Sequence, residues 1–444
     1  MDRKKIIQHN VSLGFIFKIL NMAIVYLTIP FLLSYLGKAN YGIWVTIFSI
    51  VNILFFVDAG IANGLKTKLT EAISNKKLLL AKEYISTALV IIIGISIFFL
   101  IIGVLIINSV NLTSLLNVEN IISSNNLQAI FYVILIFIVS NFILSLYKVF
   151  FYAIQKSAVV EFSMFLYRFV VFLLIYYAIA YSESSILNVA YIYGFTNLLV
   201  SLIFSFVFFY NRKEILPSIK SFESKRIKDL MGLSIRFFVI QICMIVIFIT
   251  DNIIISNLLG PEEVTNYDII FKLFQVIITI ATILIDPFWS LFTDAYQKKD
   301  YIWIKKTLKK INKLFLLVLI ATIILILLTD GIVSIWIGKD FEVIKTLTYF
   351  MGLFTIIRIF PLIYMYFLNA IGQVKFQMYL FIFGALINIP ISVFFVKNLN
   401  LGVSGVILGT SASIIAMAFL LPIQTYNILK KASIENNEVN TSKI

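Results

Sequence analysis

Apolar runs of about 20 residues recur from one end of this chain to the other, and that is the length a helix needs to cross hydrocarbon roughly 30 Å thick. With 61% hydrophobic residues and only 13% charged over 444 positions, the chain lacks the polar surface to cover itself in water. An outer-membrane barrel would show short segments of alternating polarity instead, and none is present. The sequence therefore predicts an all-α polytopic membrane protein. Breaks at Gly, Asn, Pro and charge clusters divide it into twelve apolar segments: 11–36, 42–62, 84–108, 128–151, 161–181, 189–210, 233–258, 265–290, 311–337, 345–370, 376–396 and 403–427.

Counting excludes several chemistries. The one cysteine, Cys243, forbids an internal disulfide. The one histidine, His9, forbids a histidine zinc cluster, and neither a Ser-His-Asp triad nor a Cys-rich metal site is expected. No GxxxxGK[ST] phosphate loop appears, so ATP hydrolysis by that route is not expected. No cofactor, metal site or catalytic constellation is foreseen, and the chain reads as a non-enzyme. Its first residues, MDRKK, imitate a secretion signal. The apolar run from Val11 to Leu36 is too long for one and has no small-residue cleavage site, so it reads as a retained membrane helix.

A net charge of +14 suggests nucleic acid until its distribution is followed. With both termini in the cytoplasm, 27 of the 36 basic residues lie in cytoplasmic segments, and only Lys38, Lys339, Lys345 and Lys397 lie outside. That bias predicts the orientation, and topology with anionic headgroups accounts for the basic loops. Five basic residues remain within or at the ends of the helices: Lys18, Arg168, Arg236, Lys272 and Arg358.

The chain also repeats itself. LSYLGKANYG (33–42) is echoed by SNLLGPEEVT (256–265), and LTEAISNKK (69–77) by FTDAYQKKD (292–300). Gly37 to Gly260 and Ala72 to Ala295 share one offset, and YAIQKS (152–157) resembles NAIGQV (369–374). Two six-helix halves, 1–210 and 233–432, are expected around a charged cytoplasmic linker at 211–232, with a tail at 433–444. An even helix number makes the repeat parallel, a pair able to rock around a central cavity.

The eighth segment, around DIIFKLFQVIITIATILIDPFW, is mostly hydrocarbon yet keeps polar residues in order. Asp268, Lys272, Gln275, Thr279, Thr282 and Asp286 fall within about 80° of one another on a helix. Shifted by the repeat offset, Lys272 meets Ser49, Gln275 meets Asn52 and Asp286 meets Asn63. Such a stripe has to face helices or water, since a charge at the bilayer centre costs roughly 3 kcal/mol on insertion scales. Similar faces gather Lys18 with Asn21 and Thr28, Arg236 with Cys243, Thr250 and Asp251, and Arg358 with Thr355 and Asn369 beside a kinking Pro361. Glu161 and Arg168, two turns apart, suit either a buried pair or a site. Lys18, Arg236 and Lys272 are near enough to helix ends to snorkel. Arg358 lies mid-helix, too deep for that. In GVSGVILGTSASIIA (402–416), small residues at four-residue steps read as close helix packing.

Two halves of six helices, the LGKANYG turn, and DAGIANGLKTKLTEA leaving the second helix resemble the Wzx-type polysaccharide repeat-unit flippases. Those belong to the multidrug/oligosaccharidyl-lipid/polysaccharide exporter superfamily, whose drug-exporting members give the MATE-like fold its name. The resemblance covers nearly the whole chain. It implies movement of undecaprenyl-diphosphate-linked oligosaccharides, for O-antigen, capsule or another surface polysaccharide, across a bacterial cytoplasmic membrane. It further implies membrane lipids and possible contact with a polysaccharide polymerase and chain-length regulator as partners, and no nucleic acid. On this reading Lys18, Arg168, Arg236, Lys272, Arg358, Asn52 and Gln275 bind substrate, and Asp251 or Asp286 couples an ion. Buried bases suit a diphosphate, amides suit sugars, and aromatic rings (15% of the chain) can stack on them. Two alternatives stand beside it. A cation-coupled multidrug antiporter should be dominated by carboxylates, whereas here Asp251, Asp286 and Asp330 face five bases. A flippase for the peptidoglycan lipid precursor should carry two further carboxy-terminal helices.

Overall fold

The computed structural model describes the backbone of residues 3–56, 59–230, 235–286 and 288–441. Within those ranges it leaves undescribed the side chains at 3–12, 51–56, 59–60, 63, 74, 235, 237, 290, 294 and 435–441. Every element among these residues is helical. The chain separates into two compact units, Met1–Ser234 and Ile235–Ile444.

The first unit contains α1 (Arg3–Phe56), α2 (Ala59–Ser74), α3 (Leu78–Ser109), the short α4 (Leu112–Leu115), α5 (Ser124–Leu144), α6 (Leu146–Ala153), α7 (Ser157–Tyr181), α8 (Ile186–Tyr210) and α9 (Lys225–Leu230). The second contains α10 (Ile235–Ile249), α11 (Asp251–Leu259), α12 (Pro261–Ile285), α13 (Phe288–Gln297), α14 (Tyr301–Trp336), α15 (Lys345–Ala370), α16 (Lys375–Lys397) and α17 (Val403–Thr441). Side-chain caps start several of them. Asn111 accepts from Ser114 N, Ser123 from Asn126 N, Ser185 from Asn188 N and Asp300 from Trp303 N.

Eleven spans among the described residues are long and apolar enough to cross a membrane, against twelve expected. The difference lies in the first, Leu13–Ile50. It passes through Gly37 at φ 74° and ψ 168°, so α1 is two helices joined at a sharp bend. That conformation is open to glycine and strained for other residues. Gly260 stands at φ 96° and ψ 166° between α11 and α12, the same conformation at the matching place in the other half. The turns agree as well. Lys76 and Lys299 have φ of 56° and 58°, and Gln155 and Gly372 have φ of 60° and 72°. All three sequence matches therefore carry a left-handed residue at the same step. The chain is a repeat in its backbone, not only in its letters.

Long apolar side chains stay uncovered where lipid would solvate them: Leu327 is 76% exposed and Ile335 90%. The seam between α16 and α17 is closed by small residues, as the glycine spacing led us to expect. A Cβ on Gly409 would stand 2.7 Å from Ser392 Cα, and one on Gly384 2.7 Å from Ser413 O.

The charged segment after α8 is folded onto α3. Ser86 Oγ and Thr87 Oγ1, both buried, accept from Ser218 N and Glu223 N at 3.1 Å. Arg226 Nε donates to Glu83 Oε2 at 3.0 Å, and Tyr84 donates to Asp229 Oδ2 at 3.0 Å. Ile215 and Leu230 supply its buried apolar anchors. Through Leu230 this segment packs as part of the first unit.

Candidate functional site

The polar centre of the second unit is built on a helix break. Thr250 turns its hydroxyl back to Val246 O at 2.6 Å, α10 ends, and α11 begins at Asp251. Asp251 therefore sits in a first helical turn, where the backbone dipole favours negative charge. It is 2% exposed. Tyr267 of α12 donates to Asp251 Oδ2 at 2.7 Å, and Thr410 of α17 donates to the same carboxylate, 2.8 Å from Oδ1 and 3.1 Å from Oδ2. Asn388 of α16, fully buried, donates from Nδ2 to Thr410 Oγ1 at 3.2 Å and to Ser413 Oγ at 3.4 Å. Its Oδ1 is buried with no hydrogen-bond partner among the described residues. Three helices thus meet at one carboxylate, and a fourth, α16, supports it through Thr410. Their oxygens can hold a proton or a small monovalent cation; the described residues contain no cluster of three metal-ligating side chains.

Arg358 of α15 belongs to the same interior. Its guanidinium lies 4.4 Å from the Phe248 ring centroid and 5.6 Å from that of Phe354. It makes no salt bridge among the described residues, while Asp251 acts on it at longer range. Aromatic faces stabilise a desolvated cation by up to about 2 kcal/mol and leave its donors free. A guanidinium so placed can grip two oxygens of an anion at once.

The other sequence-predicted residues fall in different settings. Lys272 Nζ bonds Asp268 Oδ2 at 2.5 Å, one turn away on α12, so its charge is matched. Gln275, on the same helix, is half-buried. Asp286 is exposed and accepts from Tyr366 OH, sharing no partner with Asp251. Arg236 is exposed near the start of α10. Lys18 is exposed and, with Lys148, acts electrostatically on Glu161. Glu161 and Arg168 form no ion pair among the described residues, so the buried-pair expectation fails. Arg168 stands beside Tyr167 and Tyr193 instead. Asn52 lies outside the residues whose side chains are described.

Sequence reasoning missed Tyr267, Thr410, Asn388 and Ser413. It assigned the GTSAS stretch to packing, and the glycines do pack. Thr410 and Ser413, between those contacts, point their hydroxyls at the carboxylate and the amide that define the site. The Asp268–Lys272 pair was detectable from its i,i+4 spacing.

A family described as polysaccharide biosynthesis protein matches residues 7–288, more than half of the chain. The chain belongs to that family. A second family, MatE, matches residues 237–394, which hold Asp251, Tyr267 and Arg358. Two curated relatives of this chain are a putative O-antigen export protein of Yersinia pseudotuberculosis and a putative O-antigen transporter of Salmonella typhimurium. The first is 28% identical over 189 residues, 42% of this chain and 43% of the relative. The second is 27% identical over 193 residues, 41% of this chain and 43% of the relative. The chain thus matches less than half the length of either. Among solved structures, an inward-facing multidrug-resistance MATE transporter superposes with a TM-score of 0.72 at 13% identity, covering 96% of this chain and 98% of that one. A MOP-superfamily transporter from Pyrococcus furiosus, described as having a binding pocket of reversed polarity, gives 0.54 at 17% identity over 93% and 97%. At such identities the likeness shows the fold alone: this is a multi-pass membrane protein with a MATE-like fold.

Proposed function

We propose that this chain is a flippase for undecaprenyl-diphosphate-linked oligosaccharide repeat units, carrying them from the inner to the outer leaflet of a bacterial cytoplasmic membrane by alternating access. The observation that carries the reading is Arg358: a guanidinium inside a membrane unit, held by phenyl rings, without a carboxylate of its own. Such a group is costly in a membrane unless an anion meets it, and a lipid diphosphate is an anion that arrives from the membrane. The relatives' names and the family support the cargo class. Both termini and the segment from Arg212 to Lys228 face the cytoplasm on this reading, as the distribution of bases favours. A surface-polysaccharide polymerase and chain-length regulator are the partners that would receive the product.

Asp251 is the coupling group in this proposal. It is buried, is held by two neutral donors, and lies in reach of Arg358's field. Binding a proton or sodium there would change the charge balance that an anionic cargo meets at Arg358. The membrane potential helps too: with the interior negative, each negative charge moved outward gains about 2.3 kcal/mol per 100 mV. Transport into reconstituted vesicles, with potential and ion gradients imposed separately, tests the mechanism. The unmodified protein should respond to both driving forces, and Asp251→Asn to the potential alone. Asp286→Asn should keep both responses, because Asp286 lies outside the buried cluster. If Asp251→Asn still follows the ion gradient, the coupling assignment is wrong.

A further inference from the structure

The first unit contains a recess that the proposed site does not use. Trp44, Phe137, Tyr167 and Tyr193 form its aromatic walls, Asn141 and Asn197 supply its amides, and it holds about 440 Å³ with its open mouth included. The rings stand at angles to one another: Trp44 and Tyr193 have centroids 5.1 Å apart at 54°, and Tyr167 and Tyr193 6.4 Å apart at 80°. Asn141 is 3% exposed and donates to Phe137 O at 2.9 Å, while its Oδ1 has no partner among the described residues. Among the described residues no acid or base lines the recess; Arg168, the nearby cation, acts on Tyr167 and Tyr193 from outside the lining.

In the register of the repeat, this recess corresponds to the charged cluster of the other unit. With the offset that joins Gly37 to Gly260, Trp44 matches Tyr267 and Phe48 matches Phe271. With the offset that joins Gln155 to Gly372, Phe137 matches Phe354, Asn141 matches Arg358 and Tyr193 matches Thr410. One location, built twice, therefore holds a guanidinium in the field of a carboxylate in one copy and amides among rings in the other.

We propose that the recess is a subsite for one pyranose ring of the cargo, a proposal that rests on the flippase reading above. A pyranose has an apolar C–H face, which suits an aromatic wall, and a rim of hydroxyls, which suits amides and phenols that both donate and accept. A diphosphate finds no cation among the side chains that line the recess. An acyl or prenyl chain would leave Asn141 Oδ1 and the neighbouring amide unpaired in hydrocarbon, which is unfavourable. The two units then divide the cargo: the second takes the charged linkage, the first takes sugar.

The test uses full-length protein in nanodiscs with Trp289, Trp303 and Trp336 replaced by Phe, so that Trp44 alone reports. Two probes are titrated, the undecaprenyl-diphosphate oligosaccharide fraction extracted from the source cells and undecaprenyl diphosphate without sugar. Trp44 emission should change with the first and stay constant with the second. Tyr193→Leu and Asn197→Leu should weaken binding of the tritiated sugar-bearing lipid by about tenfold while leaving the bare lipid within about twofold. Should Tyr193→Leu fail to fold, Asn197→Leu carries the test from a half-exposed position. Equal responses of Trp44 to the two lipids, or unchanged affinity in Asn197→Leu, overturn the subsite and leave the flippase reading standing. Failure of the extracted lipid to bind the unmodified protein overturns both.

Discussion

In the first half, Trp44 and Phe48 stand 5.7 Å apart on the helix that leaves Gly37; in the second, Tyr267 and Phe271 stand 5.7 Å apart on the helix that leaves Gly260. The backbone and the aromatic pair have been kept, and what surrounds them has not. Tyr267 donates to buried Asp251, whereas the residue matching Asp251 is Thr28, whose hydroxyl is spent on Ile24 O at 2.7 Å. Arg358 is matched by Asn141, and the Asp268–Lys272 pair by Val45 and Ser49. Duplication thus supplied one scaffold twice, and at these matched positions only the second copy carries charge. Placing it there lets one carboxylate and one guanidinium share a field, while the matching positions of the first half, Thr28 and Asn141, avoid the cost of burying ions.

The largest expected effect comes from removing that asymmetry at its centre. Arg358→Ala and Arg358→Asn, the latter copying the first half, should each cut export of surface polysaccharide by roughly tenfold to a hundredfold, the worth of one charged hydrogen-bonding group. Protein level in the membrane should stay normal. Asn141→Ala should cost only a few-fold, because it removes neutral hydrogen bonds worth about 1 kcal/mol. Export measured by complementation of a deletion strain checks this. Equal losses at the two positions would show that charge is not what separates the halves.

The repeat was legible because its marks fall on residues that backbone geometry demands. Gly37 and Gly260 share a conformation that penalises a Cβ, so the letter survived where neighbouring apolar residues drifted. The polar stripe on α12 was legible for a related reason, since charges in hydrocarbon stand out by composition. The partners of Asp251 were not. Thr410 lies 159 positions away and Tyr267 16, and one hydroxyl among many in a small-residue helix leaves no periodic trace. Arg168 shows the same limit: spacing suggested Glu161, whereas packing put it beside two phenols of α7 and α8.

A moderate effect tests whether the two bends are equivalent. Gly37 and Gly260 have nothing within 4 Å of an added Cβ, so Gly37→Ala and Gly260→Ala perturb the backbone conformation alone. Each should destabilise by about 1–3 kcal/mol, the cost of holding a non-glycine residue in that region. Thermal unfolding in detergent should show drops of similar size for the two variants. A full drop at one bend and none at the other would break the structural half of the comparison.

The smallest effect separates the charge that pairs from the charge that serves cargo. Lys272 has Asp268 at 2.5 Å, and their side chains are 27% and 9% exposed, so removing the lysine alone takes the paired cation from a carboxylate that is nearly buried. Lys272→Ala should therefore lower export, but through loss of its ion pair with Asp268 and not for want of a ligand to diphosphate. Replacing the two together, Asp268→Asn with Lys272→Gln, removes both charges at similar volume, and exchanging a buried ion pair for a neutral pair is often close to neutral in stability. Export and membrane abundance in the double variant should return to within about twofold of the unmodified protein, which a double-mutant cycle would read as strong coupling between the two residues. If the double variant exports as poorly as Lys272→Ala while its abundance is normal, the ammonium itself meets the cargo. Arg358 would then share the anion with a second cation in the same half, and the contrast with Asn141 and Ser49 at the matching positions of the first half would be sharper still.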